Sequence, residues 1–361
     1  MNKENTTLNQ KSRNVFGAFN INFNSFLADS NLVRLAVIMV AAFVLMSFLN
    51  HERYLTVGNF RSMAVQFPEI GLMSIAVMIA MLMGGINLSV LGIANLSTIV
   101  AAYVMIAVEP TVGAYTATLL GVGTALMIGV LCGALNGALI AWAGIPAILA
   151  TLGTMEIFTG ISVYLTDGSA VFGLPEPFQF IGNGSIGPIP MPLLIFAVIV
   201  GICILILQRR KLGLEMYLSG TNRKAARFTG ILTERTIIKA HIFSGVLASA
   251  GGIIMASRLV SAKADYGMSY LIMAILVAVL GGTNPFGGFG KVMGVVMAII
   301  TIQFLSSGFS MLRTPAQFDT FIWGALLVAM LVINYFGNKR TESKQIKAMH
   351  NAQREAPTYE D

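Results

Sequence analysis

Apolar runs long enough to cross a bilayer recur along this chain, parted by short polar or glycine-rich breaks. A helix rises ~1.5 Å per residue, so roughly 20 apolar residues span a hydrocarbon core of ~30 Å. Ten segments fit: 31–49, 67–85, 91–108, 114–141, 146–165, 191–208, 237–257, 268–283, 291–310 and 318–337. The ten-residue alternation of a membrane barrel is absent. The pattern predicts an all-α polytopic membrane protein of about ten transmembrane helices, with a membrane domain over 31–337.

The longest polar interruption is 209–239, which carries Arg209, Arg210, Lys211, Arg223, Lys224, Arg227, Arg235 and Lys239. Basic loops stay on the cytoplasmic side, so this segment is expected there. With ten crossings both termini join it, and 18 of the 23 lysines and arginines fall inside. Arg53, Arg61, Arg258, Lys263 and Arg313 fall outside. One crossing more or fewer breaks that asymmetry. Residues 1–30 then form a cytoplasmic polar tail dotted with Phe16, Phe19, Phe23 and Phe26, and 338–361 form a basic one. The first thirty residues lack the apolar core and cleavage site of a signal peptide. On the outer side, Asp167–Pro190 holds five glycines and four prolines and reads as an irregular exposed loop.

Composition agrees: 56% of residues are apolar, 11% are charged, and mean hydropathy is +0.77. The net charge of +7 is explained by topology, so nucleic acid is not an expected partner. Cys132 and Cys203 lie in apolar segments without metal spacing. His51, His241 and His350 are dispersed, and no catalytic or metal constellation is visible. A phosphate loop ending at Gly290-Lys291 would need glycine where Pro285 stands, so no ATPase motif is expected.

Gly84-Gly85-Ile86-Asn87-Leu88-Ser89 joins the second and third spans. Paired glycines unwind a helix, and unwound backbone at membrane depth persists only against protein or water. Gly281-Gly282-Thr283-Asn284 looks similar, but both motifs end spans running inward, so they are not an inverted pair and the likeness reads as coincidence. Gly129, Gly133 and Gly137 form overlapping GxxxG patterns suited to close helix packing, with Asn136 beside them as a packing or cavity residue. Glu156 is the one acidic residue near the middle of an expected span. It could bind solute hydroxyls, carry a proton or sit in a hydrogen bond.

Further motifs follow in order. They are Ile145-Pro146 with Thr151-Leu152-Gly153-Thr154, then Gly220-Thr221-Asn222-Arg223-Lys224-Ala225-Ala226-Arg227-Phe228-Thr229-Gly230-Ile231, then Gly281-Gly282 and the glycine-rich Phe286–Gly290. With the 84–89 motif, this ordered set resembles the ribose-type permeases of ABC importers over roughly residues 60–337. The chain departs from that pattern in having Asn87 where aspartate is common, Lys224 where glutamate is common, and Glu156 where a small or polar residue is usual.

The resemblance implies a type II importer-like permease of a bacterial inner membrane. It implies two permease chains, a second copy or a paralogue, enclosing a pathway in the bilayer. Separate ATPase subunits use the ATP, an extracytoplasmic binding protein delivers a sugar, and this chain binds no cofactor or metal. The pathway candidates are Asn87, Ser89, Asn95, Asn136, Thr151, Thr154, Glu156 and Asn284. A short helix carrying Asn222, Lys224, Ala225, Ala226, Arg227 and Gly230 is the expected ATPase coupling element. Arg258 and Lys263 beside the outer loop suit a binding protein. An ion-coupled secondary transporter using Glu156 is the alternative.

Overall fold

The computed structural model describes residues 30–312, 315, 318 and 321–332. The expected tails at 1–30 and 338–361, with Arg313 and His350, lie outside the described residues apart from Ser30. The chain folds as α1 (Ser30–Leu49), α2 (His51–Tyr54), α3 (Val57–Leu82), α4 (Val90–Val112), α5 (Ala114–Ala141) and α6 (Ala147–Thr166). Then come α7 (Glu176–Asn183), β1 (Ser185–Ile186), β2 (Ile189–Pro190), α8 (Met191–Arg209), α9 (Lys211–Thr221) and α10 (Arg223–Phe228). The order closes with α11 (Thr233–Leu259), α12 (Tyr270–Leu280), α13 (Val292–Met311) and α14 (Phe321–Val332). Eight of these are long and apolar enough to span a bilayer: α1, α3, α4, α5, α6, α8, α11 and α13.

The shorter α12 and α14 fill the other two expected places. The segment expected at 268–283 forms only the 11-residue α12. That helix reaches about 16 Å, half a bilayer. The expected 67–85 span starts ten residues earlier, at Val57, where the Thr56 side chain accepts a hydrogen bond from Asn59 N. Asp167–Pro190 is not an irregular loop: it folds into α7 and an antiparallel β1–β2 turn that pairs Ser185 with Pro190. Phe178 of α7 is buried, and Ser257 Oγ accepts from Gly182 N at 2.6 Å and donates to Phe178 O at 2.6 Å.

The centre is α3 and α11, buried along most of their lengths. Close approach there depends on missing side chains. A Cβ on Gly129, Gly133 or Gly137 of α5 would strike Gly245 O, His241 O or Ile238 of α11, so the GxxxG pattern is a helix seam. Gly252 presses in the same way on the backbone of Ala94 in α4. By contrast α1, α5, α6 and α8 carry long exposed apolar faces, as lipid contact requires.

Candidate functional site

The break between α3 and α4 begins at Gly84, whose φ of +78° admits little but glycine. The freed segment is held by a one-way chain of hydrogen bonds. Thr154 Oγ1 donates to Asn136 Oδ1 at 2.6 Å, Asn136 Nδ2 to Ser89 Oγ at 2.6 Å, and Ser89 Oγ to Asn87 Oδ1 at 2.7 Å. Asn87 Nδ2 then donates to Ser244 Oγ at 3.0 Å, and Ser244 Oγ to Ala76 O at 2.8 Å. Beside it, Thr151 Oγ1 accepts from Leu88 N at 3.1 Å. The chain links α6, α5, the break, α11 and α3, with every member buried. Buried polar groups at this depth are costly unless paired, and pairing also fixes their geometry.

Thus Asn87, Ser89, Asn136, Thr151 and Thr154 are brought together, while three other pathway candidates stand apart. Asn95 is buried in α4, where its Nδ2 donates to Ala264 O at 2.8 Å and Tyr266 O at 3.1 Å. Asn284 caps a turn, its Oδ1 accepting from Phe286 N at 3.1 Å. Glu156 is exposed on the face of α6 opposite Thr151 and Thr154, between Gly153 and Gly160, beside which there is open space.

At the basic end the segment expected to couple to an ATPase forms two helices, α9 and α10. Asn222 caps α10, its side chain accepting from Ala225 N at 3.0 Å, and Gly230 leaves it at φ +83°. Ala226 is buried beneath the helix, while Lys224, Ala225 and Arg227 are exposed. Arg227 pairs with Glu234 and donates through Nε to Thr233 Oγ1 at 3.1 Å. Phe228 is 92% exposed, unusual for a ring on a structured helix, and sequence reasoning passed over it although it stands inside the quoted motif.

The two glycine breaks meet here. Gly288 N donates to Leu82 O at 3.0 Å, Arg223 Nη2 to Met83 O at 3.2 Å, and Tyr217 Oη to Gly290 O at 2.7 Å. Burial pushes the Tyr217 phenol above its ordinary pKa. A Cβ on Gly220 would collide with Leu82 O, and one on Gly287 with Gly220 O. Both breaks thus bear on α9 and α10 through Leu82, Met83 and Gly287–Gly290, while Gly281 itself packs on Gly294 and Val295 of α13.

Away from this junction, Glu69 stands midway along α3. It is fully buried, making it the mid-span acid that the late expected start of this helix had hidden. Arg258 holds it through two nitrogens, and Tyr270 Oη donates to it at 2.9 Å. Arg258 is consequently not a free outer charge, and Lys263 is paired with Asp265 at 2.9 Å. Among the described residues no group of His, Cys, Asp and Glu could hold a metal ion.

The comparisons fit this architecture. A family model described as "Branched-chain amino acid transport system / permease component" matches residues 59–331. The D-allose transport system permease protein of Escherichia coli (strain K12) is 33% identical over 315 residues, covering 87% of this chain and 93% of that protein. The autoinducer 2 import system permease protein of Photorhabdus luminescens is 31% identical over 304 residues, covering 82% and 89%. Its counterpart in Yersinia enterocolitica is 30% identical over 290 residues, covering 79% and 86%. No solved structure matches the chain. The family match spans α3 through most of α14, taking in both glycine breaks and the segment that joins them, and the chain belongs to this family of transport-system permease components.

Proposed function

We propose that this chain is the membrane-spanning permease subunit of a bacterial sugar ABC importer, seated in the inner membrane with both termini cytoplasmic. The observation that carries the reading is the junction of α9 and α10 with the ends of both broken helices, because a push on one exposed element reaches two gates at once. Separate ATPase subunits dock on α10, with Lys224, Arg227 and Phe228 as the contact, and supply the ATP-driven motion. The permease holds no cofactor and performs no covalent chemistry. Closure of the ATPases shifts α9 and α10, the Leu82–Asn87 and Gly281–Gly290 breaks follow, and access alternates across the bilayer.

The sugar class rests on the relatives named for D-allose and autoinducer 2. A carboxylate at mid-bilayer is poorly tolerated by lipid, so the Glu156 face of α6 belongs against the pathway or a second permease chain. The three relatives give no support to an ion-coupled transporter built on Glu156. An extracytoplasmic binding protein would sit over α7 and the β1–β2 turn. The test is uptake of labelled D-allose and related monosaccharides by cells lacking their own uptake systems and expressing this chain with its ATPase and binding protein. Uptake that needs all three supports the reading, and uptake that persists without the ATPase sinks it.

A further inference from the structure

Two apolar spans carry matching polar stripes that face one another. On α3 the stripe is Asn59, Ser62 and Gln66 with Met63 among them, and on α13 it is Gln303, Ser306, Ser307 and Ser310. Both follow the i, i+3, i+4, i+7 spacing that puts four side chains on one helix face. They line a cleft of about 590 Å³, within the ~300–1,000 Å³ range of small-molecule sites. The stripes touch at two points, Ser307 Oγ donating to Asn59 Oδ1 at 2.7 Å and Gln303 Nε2 to Gln66 Oε1 at 3.5 Å. Asn59 Nδ2 donates to Tyr54 O at 2.8 Å and Gln66 Nε2 to Ser62 Oγ at 2.8 Å, which leaves the Ser306 and Ser310 hydroxyls of the lining to the open volume.

We infer that this cleft is a binding subsite for a neutral, polyhydroxylated solute of monosaccharide size, at the end of the molecule away from α9 and α10. The inference rests on the sugar-import reading above and adds where the solute sits. Amides and hydroxyls both donate and accept, as sugar hydroxyls do. The stripes hold no charged residue, so a carboxylate, phosphate or amino group finds no counter-charge within them. Charge is confined to Glu52 and Arg53, one of each sign and both exposed. Met63 and Met311 supply apolar contact for the C–H faces of a ring. Ser306 and Ser310 make no side-chain hydrogen bond among the described residues, and packing alone does not account for such hydroxyls on a membrane helix, because each would be costly if left dry.

The test uses Ser306→Cys in the complete importer, in spheroplasts, with a membrane-impermeant maleimide. Cys132 and Cys203 are the native cysteines, and both are buried, which keeps background labelling low. D-allose, D-ribose and D-galactose are the probes, each added with and without the binding protein. The subsite predicts that a sugar the importer takes up slows labelling roughly tenfold at about ten times its dissociation constant. It also predicts that Gln303→Leu abolishes this protection and raises the uptake KM about tenfold with the maximal rate little changed. Labelling that no sugar slows, while uptake proceeds, overturns the subsite and leaves the import reading standing. Protection by sugar-free binding protein alone also overturns it and makes the cleft a docking surface. If no sugar is taken up the import reading fails, and protection by a sugar still decides the subsite.

Discussion

Arg258 grips Glu69 with two parallel hydrogen bonds, Nε to Oε2 at 3.1 Å and Nη2 to Oε1 at 2.8 Å, joining α11 to the buried middle of α3. Tyr270 at the start of the half-length α12 completes the contact. Breaking such a pair strands a charge in a low dielectric, which costs about 3–5 kcal/mol. Arg258→Ala is therefore expected to lower the yield of folded protein sharply. Arg258→Met combined with Glu69→Gln removes both charges and should recover much of that yield, measured by detergent-resistant fluorescence of a tagged chain.

The glycine junction makes a second test. A Cβ on Gly220 has no room against Leu82 O and the Gly288 backbone, so Gly220→Ala must push α9 away from both breaks. Uptake should fall at least about tenfold with the ATPase still bound, since the docking face proposed on α10 is untouched while the mechanical link is loosened. Co-purification and uptake, measured together, separate the two effects.

Asn87 sits in the middle of the polar chain, accepting from Ser89 and donating to Ser244. Asn87→Leu leaves both hydroxyls with an unmet partner, at about 1–3 kcal/mol for each stranded group. A loss of thermal stability in detergent is expected, and Ser244→Ala in the same background should cost little more, because the two act in one network.

Glu156 makes no hydrogen bond or ion pair within the described residues and lies exposed on α6. Glu156→Gln should leave yield unchanged and alter uptake. Normal uptake per molecule with reduced yield would make it a structural residue.

Much of this was legible in sequence because membrane spans are set by length and hydropathy, and the basic residues of 209–239 give a direction. The short helix α10 was readable for a local reason: Asn222 and Gly230 bracket it as N-cap and left-handed exit. What escaped reading depends on three-dimensional partners. Glu69 looked peripheral because Val57–Gln66 is polar enough to pass for loop, yet that polarity forms a stripe matched by α13. Arg258 and Lys263 looked free because their partners are a helix 189 residues away and Asp265. Chain spacing placed Glu156 beside Thr154, but helical geometry turns them to opposite faces. The α7 helix was hidden by the glycines and prolines around it and by its own Pro177, in the first turn, and Gly182, near the end, and the Gln303–Ser310 spacing, visible in the sequence, was the signal that could have revealed the far-end cleft.

The central claim is that α10 receives the force that drives this permease, and the most direct measurement is uptake and ATPase co-purification for Phe228→Asp. The ring is solvent-exposed, so its loss should not disturb folding, yet exposed aromatics are typical anchors of docking surfaces. The account predicts normal yield and normal detergent stability, with the ATPase lost from the purified complex and uptake abolished. Wild-type uptake with the ATPase still bound would contradict it.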